Sequence, residues 1–197
     1  GSEMCIRDRL RSIMAAGISR MNVYTVAQTT QALANLICRC GEQARGVAIA
    51  YDSRNNSMRF AETAAEVLAG NGVKVYIYES LHPTPCLSFA ILQLGCIAGI
   101  NITASHNPKE YNGYKVYGAD GCQITTEAAA EILAEIEKLD IFADVKYSDF
   151  EAGLANGNVK YIPDEVYAAF VNEVKNQSVL FGEEVNKNVA IVYSPLN

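Results

Sequence analysis

The sequence predicts an α/β fold, a three-layer α/β/α domain around a mixed, mostly parallel sheet. Short, continuously apolar segments such as GVAIAYD at 46–52 are typical of strands buried on both faces. Segments with one apolar helical face separate these strands, which favours parallel strands joined by helices. At 197 residues the chain is long enough for one sizeable domain, and no internal repeat or low-complexity segment interrupts it.

The first half of the chain alternates helix and strand patterns. We expect Asn22 to cap a helix that stops at Gly41 and whose apolar face is Val26, Thr30, Leu33, Ile37 and Cys40. Ser57 should cap a helix that ends near Gly70, and another helix should cover about 86–95. Apolar strands are expected at 46–52, 73–79 and 96–103.

The second half has a less regular pattern. Two short strand-like pieces, 114–118 and 122–125, flank a turn, and we expect one of them to pair antiparallel at a sheet edge. Thr126 should cap a helix with the apolar side Ile132, Leu133, Ile136 and Leu139. After a polar stretch at 144–161, a last helix is marked by Val166, Tyr167, Phe170, Val171 and Val174. The apolar run 189–193 predicts a strand buried on both faces.

The composition limits the function classes. A formal net charge of −6 disfavours binding to nucleic acid, which needs a basic surface. No run of about 18 apolar residues occurs, so no membrane span is expected. The six cysteines are scattered without the spacing of zinc ligands, which indicates reduced thiols and a cytoplasmic protein.

Two polar loops follow predicted strands. One is DSRNNS at 52–57, and the other lies within NITASHNPKEYNGYKVYG at 101–118. In open α/β sheets, ligands bind to loops at the carboxyl ends of strands, so both loops are candidates. Nucleotide cofactors are disfavoured because the close glycine pair, Gly70 and Gly72, follows a helix rather than a strand. No GxxxxGK[ST] motif is present either.

Ser105 in the second loop has two interpretations. Either its hydroxyl turns the backbone, with Asn107-Pro108 completing the turn, or it is a nucleophile or phosphate carrier. In the second case His106 or Lys115 would move protons. Lys115 is itself either a solvated lysine on an edge strand or a buried proton carrier. The absence of a GxSxG elbow and of a Ser-His-Asp order disfavours a hydrolase.

Longer motifs resemble a known family. The segment TASHNPKEYNGYK at 103–115 closely resembles the active-serine loop of the α-D-phosphohexomutases, the phosphoglucomutase/phosphomannomutase family. Residues 10–37 are similar to the family's amino-terminal segment, especially in its long phosphoglucomutase/phosphopentomutase-like branch. AYDSRNNS and HPTPCLSFAI also match, and VAIVYSPLN resembles the first strand of the family's second domain. The likeness covers about residues 10–197.

The resemblance implies an isomerase that moves phosphate between hydroxyls of one sugar, as from glucose 1-phosphate to glucose 6-phosphate, through a phosphoserine and a sugar bisphosphate. The family's phosphoserine falls on Ser105, its candidate acid/base lysine on Lys115, and its phosphate-side histidine on His106. Arg11 is a candidate phosphate-side cation, or else an exposed arginine. Mg²⁺ held through the phosphate of Ser105 is the implied metal, and a sugar bisphosphate is the implied activator.

The chain also departs from the family pattern. The family's opening FGTxGxRG is matched only at Leu10-Arg11, with Ser12 in place of a glycine. The DGDxDR-type aspartate cluster that would complete the metal site is absent, as is the sugar-reading loop. We therefore expect a non-native leader at 1–9, the first mutase domain at 10–187 and the first strand of a truncated second domain at 188–197.

Two functions remain open at this point. The chain is either the amino-terminal part of a phosphosugar mutase, inactive by itself, or a non-catalytic α/β module that binds a sugar phosphate or a protein. The first requires a reading frame that continues into an aspartate cluster. The sequence does not specify the sugar or the oligomeric state.

Overall fold

The computed structural model describes residues 5–6, 9–179, 182, 186 and 188–193. Within these residues, helices and strands alternate along the chain. In order they are β1 (Cys5–Ile6), β2 (Arg9–Ile13), α1 (Val23–Cys40), β3 (Val47–Tyr51), α2 (Ser57–Gly70), β4 (Val75–Ile77), α3 (Thr84–Leu94), β5 (Ala98–Ile102), β6 (Tyr111–Gly118), α4 (Thr126–Ile136), α5 (Phe150–Asn156), β7 (Val159–Tyr161) and α6 (Asp164–Asn176).

The strands form one seven-stranded sheet in the order β1-β2-β6-β5-β3-β4-β7. Neighbours among β5, β3, β4 and β7 are parallel, whereas the pairs β1–β2, β2–β6 and β6–β5 are antiparallel. Only β1 and β6 are therefore reversed relative to the other strands. The predicted α/β class with a mixed, mostly parallel sheet is confirmed.

Helices cover both faces of the sheet and give the three predicted layers. Strand β3 shows how the faces divide, because Val47, Ile49 and Tyr51 join the apolar cluster under α1 and α2. Ala48 and Ala50 point the other way, into the cluster under α3. Burial of both sides explains why this strand is continuously apolar in sequence.

The structure corrects the predicted place of the strand after the serine motif. Residues Tyr111–Gly118 form one strand, β6, inside the sheet between β5 and β2 rather than at an edge. The expected second piece contributes only an isolated bridge between Tyr117 and Gln123. Strand β2 covers β6 from the other side, and its short segment RLRSI has too little apolar pattern to predict a strand.

Helix α1 begins and ends where the sequence predicts. The side-chain oxygen of Asn22 accepts from the backbone N–H groups of Tyr24 and Thr25, and the Thr25 hydroxyl accepts from the Asn22 N–H. This reciprocal arrangement is a capping box. Gly41 ends the helix at a φ of 73°, which glycine adopts without strain. Cys40, predicted on the apolar face, is exposed because it lies in the last, unpacked position.

Two other predicted caps are wrong by one residue. Asn56 occupies the cap position of α2, and the Ser57 hydroxyl donates instead to the carboxylate of Asp52 at 2.7 Å. Thr125 rather than Thr126 caps α4, and its hydroxyl accepts a backbone N–H of the first turn. In both places two adjacent polar residues could serve as caps, so the sequence does not distinguish them.

The polar stretch 144–161 contains two elements that its composition does not predict. These are the short helix α5 and the strand β7, which pairs in parallel with β4 and ends the sheet. Each is too short to show a periodic apolar pattern.

Residues 188–193 form no regular element, so the strand predicted there is not formed in this structure. Four of its apolar side chains are exposed, namely Val189, Ile191, Val192 and Tyr193. Most of the predicted leader 1–9, and residues 194–197, lie outside the described residues. None of the helices in the described part is long and apolar enough to cross a bilayer.

Candidate active site

An open cleft of about 820 Å³ lies where β3, β4 and β5 end. Three loops line it, one after each of these parallel strands. Their contributing residues are Asp52, Ser53, Arg54, Asn55, His82, Pro83, Thr84, Pro85, Asn101, Thr103, Ser105, His106, Asn107 and Lys109. The two polar loops predicted from the sequence therefore meet, and the HPTP turn joins them.

The serine loop, defined here as residues 104–111, presents Ser105 to solvent. A hydrogen bond from the Asn107 N–H to the Ala104 carbonyl closes a turn that has Ser105 and His106 at its centre. Ser105 has a φ of 56°, a left-handed conformation that few residues other than glycine adopt. Its N–H donates to the Thr103 hydroxyl at 3.0 Å, which helps to hold this conformation. The side chain consequently remains exposed although the preceding strand is buried.

Arg54 holds the backbone of the serine loop from the neighbouring loop. Its guanidinium donates to four carbonyl oxygens at 2.6–3.1 Å, those of Ser105, Asn107, Pro108 and Tyr111. Five fixed N–H donors make this contact possible for arginine and not for lysine. The arginine therefore determines the shape of the loop that presents Ser105.

Asp52 and Asn112 connect the two loops further. The Asp52 carboxylate pairs with the Arg54 guanidinium at 3.5 Å and accepts from the Arg54 N–H and the Ser57 hydroxyl. The buried amide of Asn112 donates to the same Ser57 hydroxyl and to the Asn55 carbonyl. Asp52 thus orients the arginine, and Asn112 ties the start of β6 to the β3–α2 loop.

Arg11 lies beside the serine loop although it is not among the described residues that line the cleft. Strand β2 pairs Arg11 with Gly113, and the Arg11 guanidinium donates to the side-chain oxygen of Asn107 at 2.6 Å. A Cβ on Gly113 would lie 2.6 Å from the Thr103 carbonyl oxygen, so only glycine allows this close approach of backbones. The sequence candidate is therefore next to the loop and half-buried rather than fully exposed.

His106 follows Ser105 and shares its exposed turn. The Nδ1 atom of His106 lies 3.3 Å from the Ser105 Oγ, a long hydrogen bond between two cleft residues. The proximity of these two sequence candidates allows proton exchange or a shared contact to one ligand.

Lys115 lies in the middle of β6, opposite Asn101 of β5. Directly opposite residues of an antiparallel pair point to the same face, so Lys115 is on the face of the sheet to which the cleft residue Asn101 belongs. The edge-strand interpretation is wrong because β6 is an interior strand. Lys115 is half-buried and is not among the described residues that contact the cleft itself.

The cleft is more positive than the chain as a whole. Its ionisable side chains are Arg54, Lys109, His82 and His106 against one carboxylate, Asp52. The chain has a net charge of −6 and only two histidines, and both histidines line the cleft. Such a local excess of donors suits an anionic ligand such as a phosphate ester.

The described residues do not by themselves complete a metal site. Among them, no group of three or more His, Cys, Asp or Glu side chains is placed to hold a metal ion. Asp52, the cleft carboxylate, is already paired with Arg54.

Three residues of the cleft were not candidates from sequence alone. Arg54 and Asp52 belong to a loop that the sequence indicates, but Arg54 contacts backbone carbonyls and Asp52, and Asp52 contacts Arg54 and the Ser57 hydroxyl, so no motif marks them. His82 stands in the HPTP turn, and only the structure shows that this turn faces Ser105 across the same cleft.

The fold and cleft define an α/β domain whose serine-bearing loop lies in a cleft lined by Arg54 and Lys109. The chain belongs to the phosphoglucomutase/phosphomannomutase family, since the model of that family's alpha/beta/alpha domain I matches residues 8–141. The match starts inside the segment predicted to be a leader.

Named relatives agree with this family. A phosphoglucomutase of Staphylococcus haemolyticus is 35% identical over 188 residues, which are 95% of this chain and 33% of that protein. A Schizosaccharomyces pombe protein named probable phosphoribomutase is 44% identical over 131 residues, 66% of this chain and 22% of that protein. The chain thus spans about a third or less of the length of these relatives.

Solved structures show the same fold. A Thermus thermophilus protein whose name places it among the phosphomannomutases superposes with a TM-score of 0.72 at 25% identity, over 89% of this chain and 36% of that one. A phosphoglucomutase/phosphomannomutase family protein of Burkholderia thailandensis gives 0.66 at 20% identity, over 87% and 35%. The predicted family and its first domain are confirmed.

Proposed function

We propose that this chain is the phosphoserine-bearing domain of a phosphosugar mutase, with Ser105 as the carrier of the phosphoryl group. A sugar hydroxyl oxygen attacks the phosphorus on Ser105, the bond from phosphorus to Oγ breaks, and the hydroxyl proton passes to a base. The resulting sugar bisphosphate reorients. Ser105 Oγ then attacks the other phosphate, and the departing sugar oxygen takes up the proton.

One observation carries this proposal: the exposed Ser105 hydroxyl sits on a loop whose backbone Arg54 holds by four hydrogen bonds, inside a positively charged cleft. Phosphoryl transfer depends mainly on positioning and on neutralising charge. A phosphoserine carries about −1.5 to −2 charges near neutral pH, which the cleft cations would offset.

The remaining sequence candidates take supporting roles in the proposal. Lys115 is the proton carrier, because it lies on the cleft face of β6. His106 contacts the phosphate on Ser105, because its Nδ1 atom lies 3.3 Å from the Ser105 Oγ that would carry the phosphate. Arg11 acts through Asn107 and adds a cation beside the serine loop.

Mg²⁺ is the proposed cofactor. When bound to the phosphate of Ser105 it would polarise the phosphorus–oxygen bonds and offset charge. This chain's share of the site would be that phosphate. The other ligands would come from sequence that the longer relatives possess.

The proposed substrate is a sugar phosphate, such as glucose 1-phosphate, and a sugar bisphosphate is the proposed activator that phosphorylates Ser105. The relatives are named both phosphoglucomutase and probable phosphoribomutase, so hexose and pentose phosphates are both to be assayed. We expect the 197-residue chain alone to be inactive, because it spans a third of the phosphoglucomutase it resembles.

A hybrid enzyme tests the function. Residues 10–187 replace the matching segment of the Staphylococcus haemolyticus phosphoglucomutase, and conversion of glucose 1-phosphate is measured with Mg²⁺ and glucose 1,6-bisphosphate. We expect an active hybrid, loss of activity in Ser105→Ala, and unchanged activity in the exposed control Ser178→Ala. A folded hybrid that binds sugar phosphate with no turnover would favour the non-catalytic binding module.

A further inference from the structure

His82 lies in the cleft with its ring held between two tyrosines. The ring stacks on Tyr78 with centroids 4.0 Å apart and planes at 19°, and it meets Tyr167 of α6 edge-on at 5.0 Å. Tyr78 is buried and its hydroxyl donates to the Cys86 carbonyl, so this side of the stack cannot shift easily. Burial also raises the pKa of Tyr78, which keeps it a neutral donor.

The hydrogen bonds of His82 define which ring nitrogen faces a ligand. The Nδ1 atom lies 2.9 Å from the Ser80 carbonyl oxygen, and a carbonyl can only accept, so Nδ1 carries a proton. The backbone N–H of His82 donates to the Tyr51 carbonyl, which fixes the loop on the end of β3. Within the described part of the chain, no hydrogen bond to Nε2 is found, so this atom is left for the contents of the cleft.

We propose that His82 is a ligand-binding residue whose Nε2 donates to a phosphate oxygen of the sugar phosphate. The proposal rests on the proposed function for the identity of the ligand. A protonated ring would have both donors satisfied, Nδ1 by the Ser80 carbonyl and Nε2 by the phosphate. His82 and Ser105 reach the cleft from different loops, so they can hold one ligand from two sides.

The contacts with Tyr78 and Tyr167 hold the imidazole ring of His82 in one orientation. A histidine on a mobile loop loses side-chain entropy when it binds, whereas a ring already held by stacking loses less. Tyr167 belongs to α6, and α6 also packs on α3 through Phe170 and Phe89. The last described helix therefore contributes to the orientation of a cleft residue.

NMR of the chain with ¹⁵N-labelled histidine tests the proposal directly, because the chain has only His82 and His106. Ligand-free protein at high pH should show His82 with its proton on Nδ1. Titration with inorganic phosphate and with glucose 1-phosphate should shift the Nε2 resonance of His82, whereas glucose without phosphate should not. If the ¹⁵N resonances of His82 do not shift during either phosphate titration, the proposal is overturned. If His106 alone responds, the proposed mutase function stands and only the role of His82 is lost.

Two substitutions separate ligand binding from a packing role. His82→Asn places an amide near the position of Nδ1 and can keep the Ser80 contact, while His82→Gln places one near Nε2 and can still donate to phosphate. We expect His82→Asn to raise the dissociation constant for glucose 1-phosphate by about tenfold or more, and His82→Gln to restore much of it. If both variants weaken the binding of glucose 1-phosphate equally, and both melt at the same temperature, then His82 acts through its packing and not through Nε2. That result would contradict the proposal.

Discussion

Two polar clusters of this domain use charged side chains in opposite ways. In the first, Arg54 donates to backbone carbonyls and thereby shapes the serine loop. In the second, the Glu135 carboxylate between α1 and α4 accepts from Lys138 at 3.0 Å, Arg39 at 3.1 Å and Asn35 at 3.2 Å. The first cluster leaves the Ser105 hydroxyl exposed, whereas in the second cluster the carboxylate is neutralised by two cations.

The surroundings of Glu135 explain its electrostatics. Hydrogen bonds from Lys138, Arg39 and Asn35, in that order of effect, lower the pKa of Glu135 to about 2. The carboxylate is nearly buried, but both cations are mostly exposed, so solvent screens part of their attraction. This cluster joins two helices and has no reactive group left over.

Under the proposed function, the two clusters have different tasks. The Glu135 cluster holds two helices together, and the Arg54 cluster holds backbone in an uncommon conformation that presents Ser105. It follows that substitutions should separate turnover from stability. Changes at Ser105 and Lys115 should lower turnover with little loss of stability, a change at Arg54 should lower both, and a change at Glu135 should lower stability alone.

After the loss of activity expected for Ser105→Ala, Lys115→Ala in the hybrid enzyme should have the largest effect on rate. A positioned acid/base contributes about 10²–10⁴-fold, so turnover should fall by that factor while the melting temperature stays close to the parent's. Lys160→Ala, on the edge strand β7, is the matched control and should retain full turnover. Normal turnover of the Lys115 variant would remove this residue from the mechanism.

Arg54→Lys should affect both properties. Lysine keeps the charge but cannot contact four carbonyls, so we expect turnover to fall by about 10²-fold through misplacement of Ser105. The free energy of unfolding should fall by ~0.5–1.5 kcal/mol, because exposed and partly buried carbonyls of the serine loop lose hydrogen bonds for which water substitutes only in part. Arg59→Lys on α2, whose partners are Glu62 and Glu66, should change neither. Parent-like kinetics of Arg54→Lys would mean that the loop holds its shape without the guanidinium.

Glu135→Gln should lower stability alone. We expect a loss of ~1–2 kcal/mol in the free energy of unfolding by urea, less than the full pKa shift implies because Arg39 and Lys138 are solvated. Turnover of the hybrid should be unchanged. Glu131→Gln, exposed on the same helix, is the control.

The difference in the free energy of unfolding between the parent and Glu135→Gln should depend on pH in a defined direction. Folding lowers the pKa of Glu135 from about 4.5 to about 2. The carboxylate therefore contributes its full stabilisation to the folded state at pH values above the unfolded-state pKa. This stabilisation is lost as the pH falls through the folded-state pKa. The difference between parent and Glu135→Gln should therefore be full at pH 6 and smaller at pH 3. A difference that grows on acidification would refute this assignment.

Ending the chain at Asn188 should have the smallest effect on the domain. The removed residues include the exposed apolar side chains Val189, Ile191, Val192 and Tyr193. Exposed apolar segments favour association, so the shortened chain should sediment with less self-association and melt at the same temperature. Loss of the cooperative transition would show that the tail belongs to the domain.

The sequence predicts the parts of this molecule that have a local pattern. The strand β3 follows from continuous apolar residues, and the helix α1 follows from an apolar face between the cap Asn22 and the stop Gly41. The family motif makes Ser105 and His106 candidates. The position of β6 does not follow, because its second neighbour is the short and polar β2.

There is a physical reason why the rest of the site could not be predicted from the sequence. The partners of Arg54 are carbonyl oxygens 51 to 57 residues away, and every residue has a carbonyl, so no sequence pattern marks the contact. The proposed role of His82 depends on contacts with Tyr78 and Tyr167, which are far apart in the sequence. Contacts of this kind require the fold.

Peptide mapping by mass spectrometry tests the central claim most directly, that the loop held by Arg54 presents Ser105 as the phosphoryl carrier. The hybrid enzyme is incubated with glucose 1,6-bisphosphate and Mg²⁺, digested and compared with its Ser105→Ala and Arg54→Lys variants. We predict one phosphate on the peptide that contains Ser105, less of it in Arg54→Lys, and none in Ser105→Ala. Phosphate on another serine, with Ser105 unmodified in an active enzyme, would contradict the account.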